Sequence, residues 1–140
     1  MKKITLLIFA LTSLLGFSQV TISPNPFEVT DQITITVDID ADTGCNGLRN
    51  QNPTKVYMHS GAGDDNNAFG FNVIGNWGED DGIGEMVNIF GSTWAITITP
   101  ATYYNLTPTQ QENVTQLGFV FRNANGTQEM KNNASCDDFF

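Results

Sequence analysis

Three aromatic side chains have the chemistry of a sugar contact. Trp77 lies in a glycine-flanked loop, without the alternating apolar neighbours that would bury it in a strand. Tyr57 and His59 alternate with the apolar residues Val56 and Met58, which predicts that both point to the opposite face of one strand. An aromatic ring can stack on the C–H face of a pyranose while nearby amide and acid groups bind its hydroxyls. These residues therefore predict a carbohydrate-binding surface.

Tryptophan also serves packing, and the two tryptophans differ in their surroundings. Trp94 alternates with Ile96 and Ile98, so we expect it in the hydrophobic core. Trp77 has no such pattern, and an exposed indole is costly unless it serves a contact. The alternative is that Trp77 folds back as a lid over a second small apolar cluster.

Acidic residues form two candidate cation sites. Glu79, Asp80 and Asp81 are consecutive, with Glu85 nearby, and could bind a cation through several carboxylates or simply form a solvated loop. Residues 38–44 begin like an oxygen-rich calcium loop, yet their glycine comes one place late and Arg, not Glu, occupies the twelfth position. Calcium is thus the one cofactor that the sequence suggests, and both sites have a simpler structural interpretation.

The sequence offers little for catalysis. His59 is the only histidine, and no nucleophile-elbow motif accompanies it. A glycosidase needs two carboxylates across a cleft, for which a small sandwich has little room. We expect the domain itself to be no enzyme, although it could be part of a secreted glycoside hydrolase.

The N-terminus has the pattern of an export signal. Lys2 and Lys3 precede an apolar run that ends near the small residue Ser18, which predicts removal of residues 1–18. The protein would then be secreted or on the cell surface, with residues 19–140 as one domain. In that oxidising environment Cys45 and Cys136 have only each other as partners, and geometry decides whether they form a disulfide.

The charge balance excludes some partners. The chain carries 15 acidic against 6 basic residues, a net charge of −9, which becomes −11 without Lys2 and Lys3. Such a surface repels nucleic acid and anionic lipid, and we expect neither nucleic-acid binding nor membrane insertion. Neutral sugars, cations and basic partners remain possible, and no pattern indicates an oligomeric state.

Short alternating segments predict an all-β protein. The strands are expected at residues 20–23, 32–40, 55–60, 69–74, 84–90, 93–99, 115–122 and 127–131. Residues 61–67 are predicted as a polar loop, and residues 107–112 as one helical turn. The fold class is an immunoglobulin-like antiparallel β-sandwich of seven to eight short strands. Residues 138–140 look like a strand that has only begun, so we expect the last strand to be incomplete and the protein to continue.

With these segments identified, the chain resembles the starch-binding carbohydrate-binding modules of families 25 and 26. The matching stretches are residues 56–61, Trp77, residues 91–98, and residues 117–123 running on to 132–133. It also resembles an N-terminal domain of secreted Bacteroidota proteins, some of which carry α-amylase domains. The resemblance implies a non-catalytic module that binds an α-glucan.

The resemblance also implies which residues contact the sugar. The family's histidine and loop tryptophan correspond to His59 and Trp77. Its second stacking tryptophan precedes a stretch that corresponds here to Met130, Asn132 and Asn133, so Met130 replaces half of the aromatic clamp. Binding is therefore expected to depend mainly on Trp77. The alternative function is a structural or adhesive immunoglobulin-like domain, which would bury Trp77, with calcium binding as a further possibility.

Overall fold

The computed structural model describes residues 19–41, 45–132 and 136–140. The predicted signal segment, Asp42 of the calcium-like loop and the candidate sugar contact Asn133 lie outside the described residues. Among the described residues, no helix is long and apolar enough to cross a membrane.

The protein is an antiparallel β-sandwich, which confirms the predicted all-β fold. Its strands are, in chain order, β1 Val20–Ser23, β2 Ile33–Asp38, β3 Val56–Asp64, β4 Asn67–Ile74, β5 Val87–Phe90, β6 Thr93–Ile98, β7 Gln116–Asn123 and β8 Glu129–Met130. The first sheet has the order β1-β2-β6-β5 and the second the order β4-β3-β7-β8. Two short helices, α1 Pro100–Tyr103 and α2 Pro108–Asn113, connect β6 to β7.

The core lies between the sheets and follows the period of two. In β2, Ile33, Ile35 and Val37 are fully buried, while the intervening threonines face outward. Val37 pairs with Trp94 in β6, and Trp94 is only 7% exposed, as predicted for a core residue. Burial of β-branched and aromatic side chains on one face of each sheet is the main source of stability in such a fold.

The prediction of a polar loop at residues 61–67 was wrong. β3 continues to Asp64, and Gly61 and Gly63 are buried within it. Both glycines pair with β7, and a Cβ atom on Gly61 would collide with the ring of Phe69 from β4. Glycine residues argue against a strand when only the sequence is considered. Here Gly61 is required within the strand, because the Phe69 side chain lies too close for a Cβ atom.

The predicted helical turn is confirmed as α2. Thr107 caps its N-terminus, because the threonine side chain accepts a hydrogen bond from the backbone N–H of Gln110 and the Gln110 side chain accepts one from the backbone N–H of Thr107. Pro108 occupies the first turn, where its missing N–H costs nothing.

The disulfide between Cys45 and Cys136 is formed, with the two Cα atoms 5.3 Å apart. It closes a segment of 91 residues, and in the chain-entropy model such a bridge contributes about 4–5 kcal/mol. Nearby, the Lys131 N–H donates to the Cys45 carbonyl, so the bridge joins two segments that also share backbone hydrogen bonds.

The final segment forms one isolated bridge. Phe139 and Phe119 exchange both backbone hydrogen bonds, at 2.9 and 3.0 Å, beside β7. Phe139 itself is buried in the core, whereas Phe140 is exposed.

Candidate functional site

The candidate site is built on the outer face of the second sheet. The connection from β4 to β5, residues 75–86, lies against this face, and we call it the Trp77 loop. It leaves β4 at Gly75 and returns at Glu85, which forms an isolated bridge with Tyr57 in β3. The loop is therefore attached to the sheet at both ends.

Trp77 is 45% exposed and is held in a defined position. Gly75 and Gly78 on either side have φ values of 108° and 82°, in the left-handed region that residues with a Cβ rarely adopt. The indole lies close to the β7–β8 turn, since a Cβ atom on Gly126 would come within 2.8 Å of the Trp77 Nε1. The predicted exposure of Trp77 therefore agrees with the structure, although the indole also packs against His59.

His59 connects Trp77 to the sheet. Its ring lies edge-to-face against the indole, with centroids 5.5 Å apart and planes at 83°. The His59 Nδ1 is 2.9 Å from the Gly75 carbonyl oxygen, which can only accept, so Nδ1 carries the proton. In the neutral ring Nε2 is then an acceptor, which suits a sugar hydroxyl.

Arg122 fastens the Trp77 loop to the sheet. The guanidinium is fully buried and donates to the carbonyls of Asn76 and Glu79 at 2.7 and 3.0 Å, on either side of Trp77. It also donates to the carbonyls of Asn123 and Ala124 at 2.9 and 2.8 Å. A buried cation must be satisfied by hydrogen bonds, so these contacts define the path of the loop.

Tyr57 lies beneath Arg122 and cannot be a sugar-stacking surface. The Arg122 guanidinium carbon is 4.5 Å from the Tyr57 ring centroid, and the ring is fully buried. The tyrosine does project to the predicted face, but the Trp77 loop covers it. Sequence alternation assigns the face of a strand and cannot reveal what later covers it.

The Tyr57 hydroxyl ties the acidic end of the loop to β3. It donates to Asp80 and lies 3.0 Å from Glu85. Burial, together with these two carboxylates, raises the pKa of Tyr57 to about 12. Lys55 is 2.8 Å from Asp80, and the hydrogen bonds from Lys55 and Tyr57 hold the pKa of Asp80 below its usual value.

The consecutive acids Glu79, Asp80 and Asp81 do not converge on a common point, although Asp80 and Glu85 both lie close to Lys55 and Tyr57. Asp80 faces Lys55 and Tyr57, while Asp81 accepts from the Asn76 side chain and the Ile83 N–H. These hydrogen bonds lower the pKa of Asp81. Glu79 makes backbone contacts: its carbonyl accepts from Arg122, and its N–H donates to the Asn76 carbonyl. No group of three or more potential ligands for a metal ion occurs within residues 19–41, 45–132 and 136–140.

In the calcium-like loop, the carboxylates of Asp38 and Asp40 also accept hydrogen bonds from neighbouring residues. Asp38 accepts from the Ser92 hydroxyl at 2.7 Å, and Asp40 accepts from the Asn50 N–H at 2.8 Å. These contacts stabilise turns beside β2 and β6.

The residues predicted around the second aromatic position do not join the site. Met130 is fully buried in the core and pairs with Phe121, so it cannot contact a ligand. Asn132 is exposed, but it lines a different pocket, with Val20 and Phe119. The structure thus brings together Trp77 and His59, whereas Tyr57 lies beneath Arg122.

Two important residues were not predicted. Arg122 could have been placed on the Tyr57 face, since Leu117, Phe119 and Phe121 define the core face of its strand. Phe69 stacks with His59 at a centroid distance of 6.5 Å and an interplanar angle of 24°. No sequence signal indicates that this phenylalanine crosses over the neighbouring strand.

A family model described as a domain of unknown function (DUF8578) matches residues 20–130. This range includes both sheets and all residues of the Trp77 loop. No curated protein matches the chain significantly.

Proposed function

The chain belongs to the family of domains described as DUF8578, and we propose that it is an exported, non-catalytic module that binds carbohydrate, with α-glucan as its ligand. The observation that carries the proposal is Trp77, an exposed indole held in place on three sides. A fixed aromatic ring loses little conformational entropy on binding, which favours recognition of a flat apolar ligand face.

The chemistry next to Trp77 supports a hydroxyl-bearing ligand. His59 has its Nε2 available as an acceptor while its Nδ1 bonds to Gly75. The resemblance to starch-binding modules assigns glucose contacts to these same two residues, and their rings touch in the structure. The negative net charge favours a neutral glycan over an acidic one.

The polar groups near Trp77 favour binding without catalysis. Asp80 is engaged by Lys55 and Tyr57, and Asp81 by Asn76. A glycosidase needs one protonated and one ionised carboxyl group across the bond to be cleaved. The lowered pKa values of Asp80 and Asp81 are opposite to what a general acid requires.

The second candidate function is a structural or adhesive domain, and the edge strand β5 favours it. Val87, Ile89 and Phe90 are all largely exposed, and Phe90 reaches 83%. An exposed apolar edge strand can pair with another chain. This function would not require Trp77.

Affinity electrophoresis in gels containing soluble starch tests the proposal. We expect the wild-type protein to be retarded, and Trp77→Ala to lower affinity about tenfold or more, which corresponds to about 1.4 kcal/mol. The melting temperature should change by only a few degrees, because the indole is outside the core. His59→Ala should lower affinity less, by about 1 kcal/mol for one lost hydrogen bond.

Phe90→Ala is the matched control, because it removes an exposed aromatic ring from the other sheet. Its retardation should equal that of the wild type. If no α-glucan retards the wild-type protein, the starch-binding proposal fails. If Phe90→Ala alone abolishes retardation, the ligand binds at β5 instead.

A further inference from the structure

A row of aromatic rings continues beyond Trp77 and His59 along the outer face of the second sheet. The Phe69 ring follows His59 at 6.5 Å, and Phe140 follows Phe69 at 6.5 Å. The Trp77–His59 separation is 5.5 Å. Trp77 and Phe69 thus both lie next to His59, and the three rings form one continuous aromatic cluster.

Phe69 is seated on the backbone of two central strands. Gly61 in β3 and Gly118 in β7 are directly paired across the sheet. A Cβ atom on either glycine would collide with ring atoms of Phe69, so the ring occupies the space of two missing side chains. Phe69 is partly buried, with one face of its ring against the backbone of the two strands.

The pocket beside Phe69 offers hydrogen-bonding groups. It has a volume of about 460 Å³ and is lined on its polar side by Asp65, Asn66, Asn67, Gln116 and Asp138. Amide and carboxylate groups next to an aromatic face suit the hydroxyls of a sugar. The two aspartates disfavour a negatively charged sugar such as a uronic acid.

We propose that Phe69 is a second stacking platform, and that the site binds a neutral glycan chain of at least three sugar units extending from Trp77 over His59 to Phe69. This inference rests on the proposed carbohydrate-binding function. Phe69 would supply a second aromatic contact, which the resemblance leaves missing at Met130, at a different position in the fold. A chain, rather than a single sugar, is the ligand because Trp77 and Phe69 lie on the same histidine and the pocket beside Phe69 adds further hydrogen-bonding groups.

Calorimetric titration with oligosaccharides of two and four units tests the inference, using the malto-, cello- and xylo-series as probes. In the series that binds, we expect at least a tenfold higher affinity for the four-unit ligand. Phe69→Leu should lower the four-unit affinity much more than the two-unit affinity, because leucine still fills the space over Gly61 and Gly118 but has no flat ring.

Phe90→Leu, the same change at an exposed position of the first sheet, should have no effect on either ligand. Thermal melting verifies that each variant is folded. If Phe69→Leu does not fold, two other measurements test whether the ligand reaches the Phe69 pocket. One is the difference in wild-type affinity between the two-unit and four-unit ligands. The other is the exposed variant Asn66→Ala, which should weaken four-unit binding more than two-unit binding.

The failures of the two proposals are distinguishable. Equal wild-type affinity for two and four units, or a folded Phe69→Leu that keeps the full gain, would overturn the Phe69 platform and leave carbohydrate binding at Trp77 intact. Absence of binding in all three series would overturn both.

Discussion

The outer faces of the two sheets are made of different residues and are held in different ways. The first sheet presents threonines, and the Thr34 and Thr97 hydroxyls lie 2.9 Å apart across β2 and β6. The second sheet carries Tyr57 and Arg122, which the Trp77 loop covers, and beside them the aromatic row of Trp77, His59 and Phe69. One face is a flat surface stabilised by its own strands, while the other has a loop attached by a buried cation. The outer face of the second sheet therefore depends on a polar anchor as well as on the apolar core.

Removal of the Arg122 guanidinium should lower the free energy of unfolding far more than a change on the outer face of the first sheet. We expect Arg122→Ala to lower the free energy of unfolding by about 3 kcal/mol or more, because several charge-assisted hydrogen bonds are lost and buried carbonyls stay unpaired. Thr36→Ala on the outer face of the first sheet should cost no more than about 1 kcal/mol. Denaturant unfolding measures both.

Arg122→Lys sharpens the same comparison. Lysine keeps the charge but lacks the planar guanidinium, whose Nη2 donates to the carbonyls of the Trp77 loop while its Nη1 donates to those at the end of β7. We expect the Trp77 indole to become more accessible in this variant, so that a neutral quencher reduces its fluorescence more strongly. Unchanged stability and quenching in both Arg122 variants would show that the loop holds its place without the cation.

A side chain added in the space above Gly61 and Gly118, which the Phe69 ring fills, should lower the free energy of unfolding by an intermediate amount. Gly118→Ala places a methyl group against the Phe69 ring, and such overpacking costs about 1–3 kcal/mol. Combination with Phe69→Leu should cost less than the sum of the two single changes, since the smaller side chain makes room. If the changes in the free energy of unfolding, measured by chemical denaturation, are strictly additive, Phe69 does not occupy the space above Gly61 and Gly118.

The smallest expected effect concerns alkaline pH. The pKa of Tyr57 is raised from 10.0 to about 12, so the folded protein keeps the phenolic proton that the unfolded chain releases. The stability from this group is complete below pH 10 and is lost as pH rises toward 12. The pKa of Lys55 is raised by Asp80, which adds a loss in the same direction.

Tyr57→Phe removes the titrating group while keeping the ring beneath Arg122. Its free energy of unfolding should fall less steeply between pH 10 and 12 than that of the wild type. Tyr103 and Tyr104 also have raised pKa values because of burial, and they serve as internal references in an ultraviolet titration. Identical pH slopes for the two proteins would contradict the assignment to Tyr57.

Much of the scaffold could be predicted, because alternation depends only on neighbouring residues. The strand of Ile33, Ile35 and Val37, the core position of Trp94 and the capped turn after Thr107 all follow from local pattern. The disulfide followed from the absence of any other partner. Less of the site could be predicted, since Tyr57, Met130 and Asn132 were assigned by face or by resemblance and are buried or lie elsewhere.

The sequence by itself determined the all-β class, the faces of the main strands and the glycine-flanked setting of Trp77. These properties arise from side-chain period and backbone freedom, both of which are local. Only the tertiary structure decided that Arg122 bonds to the carbonyls around Trp77 and that Phe69 lies over Gly61 and Gly118. Such contacts join residues more than forty positions apart, or cross from one strand to two others. Register and loop path set them, and neither is encoded in the pattern of any single segment.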